Sequence, residues 1–201
     1  MKRFLIIITI LALGSTVFAQ GQKEYTESKD EQTTCLTIEE LQLYYLINQY
    51  REKKKLPEIP LSRALTTVAQ IHARDLAKHY KTNTSCNLHS WSSDGNWTEC
   101  CYTRDHSKAK CMWDKPRELT DYLADGYEIA FYTTYPEELK EIGKTALNKW
   151  KKSLGHRQVI INEKAFKDAQ WNAIGVGIYN GYVCVWFGMD PDPNPSPQLC
   201  E

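Results

Sequence analysis

The chain has 201 residues, with 25 basic and 25 acidic side chains and a mean hydropathy of −0.54. That balance gives no bulk electrostatic reason to expect nucleic acid or an anionic membrane as partner. The length suits one ordinary domain able to bury a single core, with short appendages.

The N-terminus has a secretory layout. Lys2 and Arg3 precede an apolar run from Phe4 to Leu13, and Val17-Phe18-Ala19 offers small residues at the expected cleavage positions. The run is too short for a spanning helix, so residues 1–19 read as a signal peptide and no transmembrane segment follows its removal. Without Lys2 and Arg3 the balance is 23 basic against 25 acidic residues, near −2. The expected location is secreted or periplasmic. All seven cysteines, Cys35, Cys86, Cys100, Cys101, Cys111, Cys184 and Cys200, follow the signal and read as a disulfide set with at least one left over. Adjacent Cys100 and Cys101 are expected to take different partners. No Cys-x-x-Cys pair supports a zinc-thiolate site.

Residues 20–36 form a polar leader. Thr37-Ile-Glu-Glu40 is a capping-box pattern that opens a helix to about Lys54, with Leu41, Tyr44, Tyr45 and Asn48 on one face. Pro57 and Pro60 break it. Ser62 caps a second helix to about His79, with Leu65, Val68, Ala69, His72, Ala73 and Leu76 inward. His72 interrupts this apolar stripe and reads as a hydrogen-bonded core histidine. Residues 81–114, rich in Cys, Ser, Asn and Trp, form a long loop of the kind that is disulfide-tied, functional or both. Pro116 starts a short helix through about Leu123. Tyr127 to Tyr132 reads as a strand. Pro136 opens a third long helix with Leu139, Ile142, Ala146 and Trp150 inward, Lys149, Lys151 and Lys152 near its negative end and Gly155 as its C′ residue. Ile174, Val176 and Ile178 alternate with glycines, Asn180-Gly181 signals a type I′ turn, and Tyr182 to Phe187 forms the return strand. Residues 190–201 are a Pro-rich tail that Cys200 can tie back.

Four segments in this order resemble the CAP superfamily of cysteine-rich secretory, antigen 5 and pathogenesis-related proteins, in particular its bacterial secreted members. They are Ile47-Asn-Gln-Tyr-Arg51, Leu61 to Ala73, Ser153-Leu-Gly-His-Arg157 with Ile160-Ile-Asn162, and Ile174 to Ile178 with Val185-Trp-Phe-Gly188. The resemblance implies an α+β fold, a disulfide-bonded three-layer α-β-α sandwich over residues 37–189. It also implies a cleft with two histidines and acidic groups. His156 matches the second histidine, and His89 in Cys86-Asn-Leu-His-Ser90 best matches the first. The family's Gly-Glu-Asn-Ile motif is altered to Gly126-Tyr-Glu-Ile-Ala130, which leaves Glu128 as the acid in this segment. No acid follows Trp150, and Glu118 is a substitute without a motif behind it. His106 is a further candidate for the cleft. Asn48 and Arg51 read as structural, since a buried arginine needs several acceptors.

Two neutral imidazoles and a carboxylate would suit a divalent metal such as zinc with an open position able to activate water. His89 and His156 are 67 residues apart, so only the fold can join them. The expected function is binding of an extracellular ligand, whether lipid, glycan or protein, in this cleft. The rival is a metal-dependent hydrolase of peptide or ester bonds using His89, His156 and Glu128 or Glu118 as general base. No Gly-x-Ser-x-Gly is present to support a serine nucleophile.

Overall fold

The computed structural model describes residues 34–201 apart from Asn83; the expected signal peptide and most of the leader lie outside the described residues. Strand β1 (Cys35–Leu36) pairs in parallel with β5 (Gln198–Leu199), and a Cys35–Cys200 disulfide locks the pair. The last leader residues and the end of the Pro-rich tail therefore belong to the folded body. The tail also caps a helix start: Asp192 accepts from Ser62 Oγ at 2.5 Å and from the Ala64 amide at 2.8 Å.

Helix α1 (Ile38–Glu52) opens on the expected capping box, with Glu40 and Thr37 satisfying each other's backbone amides. Its buried face carries Leu43, Tyr44, Ile47, Asn48 and Arg51, whereas Tyr45 is 51% exposed. The expected stripe was thus partly rotated, because apolar residues surround this helix almost completely. Asn48 exchanges two hydrogen bonds with the Ile59 backbone. Arg51 donates to the carbonyls of Pro57 and Ile160 and to Asn162 Oδ1. These bonds join α1 to the chain more than a hundred residues later and satisfy a guanidinium that burial would otherwise destabilise.

Helix α2 (Arg63–His79) begins at Ser62, whose hydroxyl accepts from the Leu65 amide. The segment after it includes short helices α3 (Ala109–Trp113) and α4 (Lys115–Leu119). Two disulfides tie it, Cys86–Cys101 and Cys100–Cys111, so the adjacent cysteines do take different partners. Cys184 is free and buried.

The main sheet is antiparallel in the order β2-β4-β3, from β2 (Gly126–Tyr132), β3 (Ala173–Tyr179) and β4 (Tyr182–Gly188). Asn180 and Gly181 adopt φ of 46° and 87°, as a type I′ turn requires. Side chains alternate across the sheet. Ile129, Ile174, Val176, Val183, Val185 and Phe187 pack against Leu43, Ile47, Leu147 and Trp150. Ala130, Cys184 and Trp186 face Leu65, Val68 and Ala69 of α2. A Cβ at Gly175 or Gly177 would collide with the α2 backbone at Leu65, Thr66 or Ala69, so glycine is what lets helix and strand meet so closely. The result is the expected three-layer α-β-α sandwich.

The third long helix is not continuous. It divides into α5 (Pro136–Leu139), α6 (Ile142–Lys152) and α7 (Leu154–Ile160). Ser153, extended at φ −90° and ψ 121°, ends α6 and starts α7. Gly155 is therefore not a C′ residue, and His156 sits in the first turn of a new helix.

Candidate functional site

Strand β2 is an outer strand of the sheet. Along it lies a cavity of about 520 Å³ whose wall includes His89, Tyr102, His106, Glu128 and His156. The segment after α2 supplies His89, Tyr102 and His106, β2 supplies Glu128, and α7 supplies His156. The break at Ser153 is what turns the chain so that α7 can face the loop. Four of the five acidic and histidine candidates thus meet at one cavity.

Glu128 is the hub. Its side chain is fully buried, and its two oxygens take one histidine each: His72 Nδ1 at 2.5 Å and His89 Nδ1 at 2.8 Å. Burial alone would raise the carboxyl's pKa. The charge and hydrogen bond of His72, joined by those of His89, reverse this and hold it well below the usual carboxylate range. An ionised carboxylate only accepts, so both Nδ1 atoms carry hydrogen. His72 Nε2 lies 2.9 Å from the Ser90 carbonyl, which also only accepts. His72 is thus engaged through both ring nitrogens, with Glu128 on one side and the Ser90 carbonyl on the other. His89 donates its Nδ1 hydrogen to the other oxygen of Glu128.

Packing fixes this arrangement. The His72 ring stacks on Trp91 at 4.2 Å and 4°. Trp91 is held by paired hydrogen bonds with Cys100, and Ser92 is anchored by Asp75 through its amide at 2.9 Å and its hydroxyl at 2.5 Å. His72 is the satisfied core histidine expected from its place on the α2 stripe. Its link to the cleft was not legible, because Glu128 lies 56 residues away.

His156 Nδ1 contacts Ser153 Oγ at 2.7 Å. Burial, reinforced by nearby His89 and only partly offset by Glu128, lowers its pKa to about 4, so the ring is neutral. His106 contacts the Tyr102 hydroxyl at 2.8 Å from a left-handed backbone, φ 59°.

Glu118 does not join them. It accepts from Lys115 Nζ at 2.5 Å and from the Thr98 amide, away from the cavity wall. The substitution expected there fails because Lys115, itself 1% exposed, needs a carboxylate beside it. Nor is Glu128 free as a third ligand beside His89 and His156. Among the described residues, the set of ligand atoms lying within 4.8 Å of one another is His72, Glu128 and Cys184. That set is a hydrogen-bonded core cluster: His72 Nδ1 is already on Glu128, and burial pushes the Cys184 thiol's pKa well up. His89 and His156 both line the cavity, and Glu128 stands behind His89 as the carboxylate that fixes its ring.

Sequence reasoning did not find the apolar part of the wall, which includes Met112, Trp113, Tyr127 and Phe166. Tyr127 occupies the altered position of the glycine-containing motif. Its ring lies 5.8 Å from both Trp113 and Phe166.

Among solved structures, an extracellular protein containing an SCP domain from Bacillus anthracis is similar in fold. Its TM-score is 0.51 at 19% identity, over 76% of this chain and 40% of that one. A cysteine-rich secretory protein from Staphylococcus aureus gives 0.48 at 16%, over 76% and 38%. An outer surface protein from Borrelia burgdorferi gives 0.48 at 17%, over 75% and 91%. The chain thus spans less than half the length of the first two. A search of curated proteins finds no match to this sequence. Among the described residues, no helix is long and apolar enough to cross a membrane. Residues 44–185 match the family model described as CAP, the Cysteine-rich secretory protein family. With that match covering most of the chain, on a three-layer sandwich whose cleft joins His89 to His156, the protein belongs to the CAP family.

Proposed function

We propose that this chain is a secreted binding protein that takes an extracellular ligand into the cavity beside β2, where His89 and His156 can hold a divalent cation such as zinc. The observation that carries the reading is the cavity itself, about 520 Å³, with the imidazoles of His89 and His156 both in its wall. Such a volume is in the range of small-molecule sites. A bound cation would supply Lewis-acid character. The chain's own part is to present two imidazole nitrogens and to orient one of them through Glu128.

Binding is favoured over hydrolysis by the state of the acids. A general base must reach the nucleophile directly or through one water. Both oxygens of Glu128 are engaged by histidines, and Glu118 lies outside the cavity wall.

The neutral dye N-phenyl-1-naphthylamine tests the binding reading. It should bind saturably to the oxidised protein and lose affinity in Ala165→Trp, which places an indole at an exposed lining position. Equal binding by that variant would remove the cavity as the site. Calorimetric zinc titration tests the cation: His89→Ala and His156→Ala should each abolish the wild-type signal. An unchanged isotherm in both would remove the pair as ligands.

A further inference from the structure

We infer that the end of the protein where α1 and α6 finish is a docking surface for a linear anionic polysaccharide, held by Lys53, Lys54, Lys55, Lys151 and Lys152. None of these lysines lines the cavity beside β2, so the surface is independent of the binding reading above.

Three observations lead there. The first is convergence of two distant segments. Lys53 to Lys55 form the turn after α1, and Lys151 and Lys152 end α6. The half-buried ring of Tyr50 joins them, with Lys54 Nζ 5.9 Å and Lys151 Nζ 4.7 Å from its centroid. Burial and then the charge of Lys53 lower the pKa of the Lys151 ammonium, as crowded like charges should.

The second is the lack of a neutralising acid. Elsewhere, helical lysines take a carboxylate three or four residues away, as in Lys110–Asp114, Lys140–Glu137 and Lys144–Glu141. Among the described residues, none of the five forms an ion pair. Glu163, whose charge also reaches Tyr50, is taken by Arg157, and Glu138 by Lys149. Glu52 lies in a recess with Gln49 and Glu58. A helix C-terminus favours a cation in its last turn, and Arg51 and Lys152 already supply that. The run Lys53 to Lys55 lies beyond α1. Lys55 even holds a left-handed backbone, φ 60°, where glycine or asparagine sits at lower cost, so the turn itself does not call for a lysine.

The third is what the patch lacks. The Tyr50 ring already faces two ammonium groups, so it is no open platform for stacking the bases of a single-stranded nucleic acid. Leu154, two residues past Lys152, is the one large apolar side chain exposed close to these lysines in sequence, whereas docking in a membrane interface buries a whole apolar face. A flat anionic membrane would also meet the neighbouring acids Glu52 and Glu163. A polymer that carries sulfates or carboxylates along a sugar chain can follow the lysines alone.

The test is calorimetric titration of the oxidised protein at about 50 mM salt, with heparin octasaccharide as the sulfated probe and oligogalacturonate as the carboxylated one. At least one should bind, and which one binds better tells the two anion types apart. By counterion release, contact through five lysines should give log K against log salt a slope of roughly −3 to −4. Each lysine beside an anionic surface is worth roughly fivefold, so Lys53→Gln, Lys54→Gln and Lys55→Gln together should weaken binding about a hundredfold and reduce the slope to roughly −1 to −2. Lys78→Gln, Lys140→Gln and Lys144→Gln together remove the same net charge from exposed positions outside the patch and should leave the affinity nearly unchanged. Both triple variants should melt with the wild type, since every substituted side chain is exposed. Equal weakening by the two variants would show that net charge decides, and would overturn the docking surface. So would failure of both probes to bind, or tighter binding to phosphatidylglycerol vesicles or to single-stranded DNA of matched charge. Loss of N-phenyl-1-naphthylamine binding would bear on the cavity alone, so the two readings fail separately.

Discussion

Replacing Glu128 by Gln tests the hub of the site with almost no change in shape. The amide keeps the volume but loses the charge, and it cannot accept at both ends. His72 Nδ1 and His89 Nδ1 now donate to the two carboxylate oxygens, at 2.5 and 2.8 Å, from a side chain with no solvent exposure. In the variant, one imidazole must face an N–H or give up its proton. Hydrogen bonds to a charged group are worth roughly 1.5–3 kcal/mol each, so disturbing both should cost about 3–5 kcal/mol. Total stabilities of such domains are roughly 5–15 kcal/mol, so the variant should fold but unfold early. With a urea slope of about 2 kcal/mol per molar, the midpoint should fall by about 2 M at pH 7. The pH dependence supplies the sign. The folded carboxyl lies below the ordinary glutamate value of 4.5, so its contribution is present above that value and is lost as pH falls through the lower folded value. The gap between wild type and variant should therefore narrow as pH falls below about 4.5. A gap under about 1 kcal/mol at pH 7, or one that stays constant to pH 3, would refute the buried carboxylate as the hub of the site.

Three further outcomes are expected. His156 is held neutral with a pKa of about 4 against an ordinary 6.5, so the unfolded chain binds more protons between those values. Stability should fall as pH drops from about 6.5 to 4 and then level off for this group, and His156→Gln should flatten that slope in chemical denaturation. Gly175→Ala puts a methyl into the Leu65–Thr66 backbone and should cost about 3 kcal/mol or more by thermal melting; a loss under 1 kcal/mol would mean that α2 is not pressed onto β3. The Cys35–Cys200 bridge spans 165 residues, so loop entropy assigns it about 5 kcal/mol, the upper end for a disulfide. Replacing both cysteines with serine should lower the melting temperature markedly while leaving dye binding in the cavity intact.

Local chemistry was read correctly wherever a few neighbouring residues settle the matter. Thr37 with Glu40, Ser62, and Asn180-Gly181 each satisfy their own backbone groups or torsions within a turn, so the starts of α1 and α2 and the terminal hairpin could be placed. Cys100 and Cys101 cannot easily share one partner, and they do not. Errors arose where a distant contact decides. The α1 stripe was partly misplaced because residues 41–47 are apolar almost all round, and only α6 and the sheet choose the buried side. The helix expected to open at Pro136 and end at Gly155 is periodic enough to read as one, yet it breaks after Leu139 and again at Ser153, where α7 begins. Nothing local to Glu118 signals that buried Lys115 claims it.

The family and the layered α+β architecture were legible in the chain alone, because short motifs in a fixed order and local periodicity carry them. Only the tertiary structure decided how the histidines are held. A histidine's hydrogen-bond partners are set by long-range packing, and Glu128, placed between His72 and His89 by β2, α2 and the loop, takes one ring from each of two positions 56 and 39 residues away.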